Sequence, residues 1–353
     1  MLHKIIQSPI SEPILQCVLN FMERLLEVAC AYDPASASGP LRVEDLELEF
    51  GSDVTEWLTT NSPNVLEKLK VFARRLSVDK LNTLAQFKND RAFTEHLSDP
   101  AYRFQIHQPA KTDDIKIWLV KFYDQLKSID GFHPIVCNHH SHFNYKDWWD
   151  SFDAVNPNQT MCCACDGTMN HGRTIEHFFP KAIYPVLSIH PSNLIPLCDK
   201  CNHDKKEIDP LKDVTFEQIF IPYRDSIDEV VDLEFTVVDG GKELIQLHPN
   251  GANPDLPLRI QKYSELFAIP AQWNNNIHEI TPIATRILKQ LVSWMKKSGQ
   301  VISKDSLKQI IDDICDDMEK DWGNAHYYYP ASKWLRWAKE NKFESLCKEL
   351  GVA

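Results

Sequence analysis

Apolar side chains recur at helical spacing through the first third of the chain. From Ile14 to Ala31 they return every three or four residues, which is the period of one face of an α-helix. The same spacing runs from Val65 to Phe87 and from Ile115 to Ile129. We therefore predict a helical N-terminal region over residues 1–131, built on these three amphipathic stretches.

The period changes in the last third of the chain. Apolar and polar residues alternate from Val230 to Leu247, with a Gly-Gly pair near the middle, and this pattern predicts a β-hairpin closed by a tight turn. Helical spacing returns from Ile280 to Lys297 and from Ser303 to Lys320. We expect residues 213–353 to form a hairpin and a helical C-terminal region.

Composition and hydropathy narrow the class of protein. The chain has 353 residues, 43% of them apolar, and no apolar run approaches the roughly 18 residues that a membrane-spanning helix needs. Polar residues interrupt the N-terminal segment, so we expect no signal peptide, no membrane contact and a cytoplasmic location. Ten cysteines are too few for a disulfide framework in a chain of this length and fit a reducing compartment.

Charge is distributed unevenly along the chain. The formal net charge is −12, which argues against a protein coated in basic surface and leaves any contact with nucleic acid to a local patch. The segment from Cys162 to Lys206 carries +1 with its histidines neutral, whereas Val301 to Asp321 carries −4. We expect the acidic segment to face a basic protein partner or solvent.

Four cysteines stand in two pairs at metal-ligand spacing. Cys162 and Cys165 form one Cys-x-x-Cys knuckle, and Cys198 and Cys201 form the other. A two-residue gap lets both thiolates of a pair face one ion, so these side chains predict a tetrahedral structural Zn²⁺ site. Cys163 is then left outside the ligand set. The 32 residues between the knuckles exceed the spacing of a plain zinc ribbon, so we expect further structure between them.

The residues between and after the knuckles follow a distinctive order. Glu176-His177 comes first, then Pro180, then Asn193-Leu194, and the second knuckle leads at once into Asn202 and a lysine pair. In this order the segment from about Thr160 to Asp209 resembles the HNH endonuclease family. The resemblance implies a ββα-metal core of the HNN type, in which a hairpin and a helix surround a catalytic metal ion.

The resemblance also implies roles for individual residues. His177 corresponds to the general base, a role that suits a neutral imidazole. Glu176 and Asn202 correspond to oxygen ligands of a catalytic Mg²⁺ or Mn²⁺, with His203 as the alternative to Asn202. Asn193 corresponds to a residue that orients the loop or the histidine, although a loop asparagine also commonly caps its own turn.

Basic residues of the same segment are candidates for contact with a nucleic acid backbone. Arg173, Lys205 and Lys206 can bind phosphates without reading sequence, and the alternative for the two lysines is a solvated helix face.

A second candidate metal site is the His-rich tract from Cys137 to His142. It has no matching ligand pair, and the aromatic residues around it predict a packing layer instead.

The predicted fold is mainly α with a small α+β insert. A nuclease-like core with structural zinc, over residues 132–212, lies between the helical N-terminal region and the hairpin with its helical C-terminal region. The resemblance implies hydrolysis of DNA phosphodiester bonds, by nicking or, in a homodimer, by double-strand cleavage, and RNA stays open as a substrate. By analogy alone, we expect an effector of a bacterial antiphage defence system that works with an ATPase or sensor protein. The alternative is a non-catalytic, zinc-stapled nucleic-acid-binding or adaptor protein.

Overall fold

The computed structural model describes residues 4–32, 40–106, 114–157, 159–169, 172–205, 208–227, 230–321 and 325–352. Within these ranges the protein is mainly helical, with two small antiparallel sheets. The N-terminal helices are α1 (Ser11–Ala31), α2 (Val43–Phe50), α3 (Ser52–Thr60), α4 (Pro63–Ala73), α5 (Ser77–Arg91) and α6 (Asp114–Lys127). The central elements are α7 (Pro134–Cys137), α8 (Tyr145–Val155), β1 (Arg173–His177), β2 (Leu194–Cys198) and α9 (Asp199–Lys205).

The C-terminal elements are β3 (Val231–Val238), β4 (Lys242–Pro249), α10 (Leu256–Phe267), α11 (Ala271–Asn275), α12 (Ile277–Lys297), α13 (Lys304–Lys320), α14 (Tyr328–Asn341) and α15 (Phe343–Leu350). The predicted hairpin is confirmed, because β3 and β4 pair antiparallel along their whole length. Gly240 and Gly241 in the turn have φ of 83° and 78°, a region that glycine enters without steric cost. In the described ranges, no helix has the length and hydropathy to cross a lipid bilayer.

Two of the three predicted N-terminal stretches form single helices, α1 and α6. The prediction of one continuous stretch from Val65 to Phe87 was wrong, because the chain leaves helical geometry between α4 and α5.

Lys80 holds this break in place. Its buried Nζ donates to the carbonyl oxygens of Ala73, at the end of α4, and of Ala29, in the last turn of α1. These carbonyls have no partner within their own helices.

A β-β-α unit forms the middle of the chain. β1 and β2 pair antiparallel, with Arg173 opposite Cys198 and His177 opposite Leu194. The helix α9 begins at Asp199, directly after β2. The second cysteine knuckle therefore spans the junction of β2 and α9, and Asn202 follows it within the same short helix.

Both helical flanks pack directly on this unit. Buried apolar side chains from all three predicted regions form one continuous cluster. On the N-terminal side, the Ser188 hydroxyl in the β1–β2 connection donates to the carbonyl oxygen of Leu119 on α6 at 2.8 Å. On the C-terminal side, the Trp273 indole donates to the carbonyl oxygen of Cys165 at 2.8 Å. The flanks thus hold both the first knuckle and the β1–β2 connection.

The acidic segment contacts a basic face of its own chain. Lys339 on α14 lies 2.7 Å from the carboxylate of Asp312 on α13, and Arg336 lies 2.5 Å from that of Asp316. A basic partner or solvent was expected for this segment, and α14 supplies the basic partner within the molecule.

Candidate metal centre and adjoining cleft

Four cysteine sulfurs converge where the two knuckles meet. The Sγ atoms of Cys162, Cys165, Cys198 and Cys201 all lie within 4.8 Å of one another, and the four side chains are buried. The Sγ atoms of Cys165 and Cys198 are 3.7 Å apart, and a tetrahedral Zn²⁺ with Zn–S bonds of about 2.3 Å separates its sulfurs by about 3.8 Å. The predicted ligand set therefore forms a site that can hold a metal ion such as zinc.

Backbone amides donate hydrogen bonds to the sulfurs of this centre. The N–H groups of Gly167 and Cys201 donate to the Sγ atoms of Cys165 and Cys198, at 3.4 and 3.5 Å. Such bonds stabilise negative charge on sulfur and fix the direction of each ligand. Cys163 stands apart, as predicted, and its thiol donates to a backbone carbonyl of β2 at 3.2 Å.

A cleft of about 410 Å³ adjoins the β-β-α unit. It is lined by Glu176 and His177 of β1, by Pro180, Lys181 and Ala182 of the β1–β2 connection, and by Asp199, Asn202, His203 and Lys205 of α9. The structure thus brings four of the predicted site residues to one cavity: Glu176, His177, Asn202 and Lys205. They come together because β1 and α9 lie side by side through the β2 junction.

Glu176 and Asn202 are in direct contact. The Asn202 side-chain amide donates through Nδ2 to Oε1 of Glu176 at 2.9 Å. Burial raises the pKa of the Glu176 carboxyl, and the charges of Lys127, Lys205 and Lys181 act in the opposite direction. A carboxylate and a carboxamide therefore meet at one point of the cleft. Mg²⁺ is commonly held by one or two such protein ligands, with water and substrate phosphate completing its shell.

His177 is nearly buried, with 6% of its surface exposed. Its Nε2 lies 2.8 Å from the carbonyl oxygen of Ser188. Because a carbonyl can only accept, Nε2 carries the ring proton, and Nδ1 is the proton acceptor of the neutral imidazole. Burial, aided by the charge of Lys181, lowers the pKa of His177 well below its ordinary value. The ring is therefore neutral at physiological pH.

Lys205 is a buried residue of the cleft, so the alternative of a solvated helix face is wrong for it. Its side chain is packed against β1, where Nζ donates to the carbonyl oxygen of His177. Burial lowers the pKa of Lys205 to about 8, and the nearby Glu176 carboxylate opposes this shift. Contact with a phosphate stays a prediction for this lysine. Lys206, the other member of the predicted pair, lies outside the described residues.

Asn193 organises the connection between β1 and β2. It is fully buried. Its Oδ1 accepts from the N–H of Phe179 at 2.6 Å, and its Nδ2 donates to the carbonyl oxygens of Phe179 and Leu187 at 3.0 and 2.9 Å. Asn193 is not among the residues that line the cleft. This geometry fits the loop-orienting role that the resemblance implies for Asn193.

Arg173 is engaged within the chain. Its guanidinium donates two hydrogen bonds to the Asp153 carboxylate, at 3.0 and 2.6 Å, and lies 3.7 Å from the centre of the Trp149 ring. The expectation that Arg173 binds phosphate is therefore not supported, because a phosphate must first displace a bidentate carboxylate.

His203 is 85% exposed. The contact with Glu176 is made by Asn202, which makes Asn202 the better candidate for a metal ligand.

The contribution of α6 to this site was not predicted. The Tyr123 hydroxyl donates to the carbonyl oxygen of Ile175 at 2.8 Å, and its ring packs edge-on against His177 with 4.2 Å between ring centres. The ammonium groups of Lys127 and Lys181 lie 4.6 and 4.1 Å from the centre of the same ring. The amphipathic pattern puts Tyr123 on the buried face of α6, yet that pattern carries no information about the partner it meets.

The aromatic residues around the His-rich tract are buried, whereas His140 and His142 of the tract are exposed. Phe132, Phe143, Trp148 and Trp149 are all buried, which confirms the predicted packing layer. Among the described residues, the only group of three or more close His, Cys, Asp or Glu ligands is the four-cysteine centre.

Comparisons of the chain with protein families, with curated proteins and with solved structures find no significant match.

Proposed function

We propose that this protein is a metal-dependent endonuclease that hydrolyses phosphodiester bonds of DNA. The observation that carries the proposal is the meeting of Glu176, His177 and Asn202 in one cleft beside a four-cysteine centre. A carboxylate, a carboxamide and a neutral imidazole supply the metal ligands and the base that phosphodiester hydrolysis needs.

His177 is the proposed general base. Its Nε2 is occupied by the Ser188 carbonyl, so Nδ1 is the atom that takes a proton from the attacking water. The bond to Ser188 also fixes the ring, because Ser188 is itself held by Leu119 of α6. Neutrality at physiological pH keeps the base ready to accept a proton.

Glu176 and Asn202 fit a Mg²⁺ or Mn²⁺ ion, because both offer hard oxygen ligands and they already touch. Asn202 would hold the ion through Oδ1, which requires its amide to turn about the last side-chain bond, because Nδ2 faces Glu176 in this structure. When bound, the ion neutralises charge that develops on the phosphoryl group and on the leaving 3′ oxygen. Lys205 adds a positive charge at the same cleft and holds the backbone of His177.

The four-cysteine centre has a different task in this proposal. Zn²⁺ there would join the first knuckle to the junction of β2 and α9, which fixes Asn202 relative to β1.

One such cleft cuts one strand at a time. Nicking is therefore the simplest product, and a double-strand break needs two copies or two encounters. Action as a defence effector with a sensor or ATPase partner remains part of the proposal by analogy alone.

The test is conversion of supercoiled plasmid DNA in the presence of Mg²⁺ or Mn²⁺. We expect relaxed product from the wild type, and a loss of roughly 10²- to 10⁴-fold in the rate for His177→Ala, which removes the base. His203→Ala is the matched control, since His203 lines the same cleft but is 85% exposed. It should keep activity. Both variants should retain the zinc content and far-ultraviolet circular dichroism of the wild type.

A zinc-stapled adaptor is the second candidate. The enclosure of the first knuckle by C-terminal residues favours it, since Tyr263 and Trp273 donate to the carbonyl oxygens of Ala164 and Cys165. An adaptor has no use for His177 as a base. Plasmid binding without cleavage, at full zinc content and with either metal, would reject the nuclease proposal and leave this one.

A further inference from the structure

Tyr123 anchors a pair of lysines next to the cleft. The tyrosine is 1% exposed, and its hydroxyl is fixed by the carbonyl oxygen of Ile175 on β1. Burial raises the pKa of Tyr123 far above its ordinary value, so the hydroxyl stays protonated and keeps donating. The ring is therefore a rigid platform between α6 and the strand that bears Glu176 and His177.

Two ammonium groups share this platform. Lys127, in the last turn of α6, and Lys181, in the β1–β2 connection, have Nζ atoms 4.6 and 4.1 Å from the ring centre. A cation over an aromatic face is attracted by the ring, but two cations on one ring also repel each other. Burial and the charge of Lys127 lower the pKa of Lys181. The fold thus holds the two ammonium groups close together although their charges repel each other.

Neither lysine makes an ion pair with any residue that the structure describes. Other lysines nearby do: Lys121 on α6 lies 3.0 Å from Asp124, and Lys200 on α9 lies 3.0 Å from Asp204. Lys181 lines the cleft, and the charges of Lys127 and Lys181 both act to lower the pKa of Glu176. Positive charge left unpaired beside a cleft is suited to an anion brought by the substrate.

We propose that Lys127 and Lys181 form a phosphate subsite that binds the DNA backbone next to the bond that is cut. The subsite rests on the proposed function, and it brings α6 of the N-terminal region into substrate binding. The two lysines contact phosphate oxygens, and Tyr123 holds their ammonium groups in place. Because the contacts are to the backbone, they add affinity without choosing a base sequence.

The experiment measures binding separately from cleavage. A fluorescein-labelled DNA duplex is titrated with the full-length, zinc-loaded protein in buffer without Mg²⁺ or Mn²⁺, at KCl from about 50 to about 200 mM, and the slope of log K against log[KCl] is determined. We expect Lys127→Gln and Lys181→Gln each to reduce the slope by about 0.9, the value for one lost phosphate contact. Lys127→Arg and Lys181→Arg, which keep the charge, should restore it.

Lys121→Gln is the matched control, because Lys121 lies on the same helix and is paired with Asp124. The proposal is overturned if the Lys127→Gln and Lys181→Gln slopes equal that of Lys121→Gln, which is the result expected if the lysines only pack on Tyr123. Plasmid cleavage by the wild type with unchanged slopes would reject the subsite and keep the nuclease. A reduced slope without any cleavage would keep the subsite and reject the nuclease.

Discussion

The carboxylate of Glu176 accepts a hydrogen bond of 2.9 Å from the side-chain amide of Asn202. Replacing the amide by a second carboxylate, in Asn202→Asp, sets two like charges at this distance. Without divalent metal we expect the free energy of unfolding to fall by roughly 1.4 kcal/mol for each pKa unit of repulsion. A bound Mg²⁺ ion removes the repulsion, so Mg²⁺ should raise the unfolding temperature of the variant more than that of the wild type.

Asn202→Ala is the control for this prediction. It removes the hydrogen bond to Glu176 without adding charge, so it should lower stability slightly and gain no response to Mg²⁺. Thermal unfolding of the three proteins, with and without Mg²⁺, makes the comparison. An equal response to Mg²⁺ in Asn202→Asp and Asn202→Ala would contradict a metal site at this pair.

The four-cysteine centre gives a second prediction. Cys198→Ser should lose bound zinc and a large part of the folding free energy, because a structural zinc site contributes on the order of 10 kcal/mol in small domains. Cys163→Ser should keep both, since Cys163 lies outside the cluster and serine can still donate to the same carbonyl of β2. Metal analysis and thermal unfolding test the two variants side by side. Equal zinc loss in both would show that the ligand set is wrong.

Local spacing was enough to predict the metal centre and the hairpin. The two-residue gaps of the knuckles fix which four sulfurs can meet, and period-two alternation predicts β3 and β4. The gap within each knuckle and the alternation within the hairpin are short-range patterns, although the two knuckles themselves meet across 33 positions, from Cys165 to Cys198. The meeting of Glu176 and Asn202 across 26 positions followed from the order of the HNH-like residues, and no local pattern contains it.

Tertiary contacts explain what the sequence did not predict. The break between α4 and α5 has no glycine or proline to mark it, and it depends on Lys80 reaching carbonyls at two helix ends. The lysine pair on Tyr123 depends on α6 packing beside β1. Arg173 has a side chain suited to phosphate binding, but its guanidinium forms an ion pair with Asp153 of α8 instead. In each case at least one of the partners is distant in sequence, and periodicity does not encode that contact.

Lys80 itself gives a prediction about stability. Its side chain is fully buried, and Nζ donates to Ala29 and Ala73 at 3.2 Å and also to Tyr32. Lys80→Met keeps the apolar stem but leaves carbonyls at the ends of α1 and α4 without their partner. Each buried carbonyl left unsatisfied costs about 1–3 kcal/mol. We expect a loss of at least about 2 kcal/mol in urea unfolding.

The matched control for Lys80 is Lys88→Met on the same helix. Lys88 is 45% exposed and pairs with Glu23 and Glu27 at the surface, where such pairs contribute about 0–1 kcal/mol. If the two substitutions cost the same, the three carbonyl contacts of Lys80 do not stabilise the junction of α1, α4 and α5.

His190 makes stability depend on pH. It is 4% exposed, its Nε2 lies 3.1 Å from the carbonyl oxygen of Arg91, and its Nδ1 accepts from the N–H of Ser192 at 3.2 Å. Burial lowers the pKa of His190 to about 3 from an ordinary value of 6.5. Between these two values the unfolded chain binds a proton that the folded protein does not. Stability therefore falls as pH drops below about 6.5, by roughly 1.4 kcal/mol per pH unit for this residue.

The His190→Gln variant isolates this contribution. Urea unfolding from about pH 7.5 to about pH 5 should give a curve of stability against pH that is flatter than that of the wild type by one bound proton. Groups shared by both proteins, including the cysteine thiolates, cancel in the difference between the two curves. His203→Gln, which removes an exposed histidine instead, is the matched control variant. If His190→Gln and the wild type lose stability in parallel below about pH 6.5, protonation of His190 does not oppose folding, and the acid sensitivity arises elsewhere.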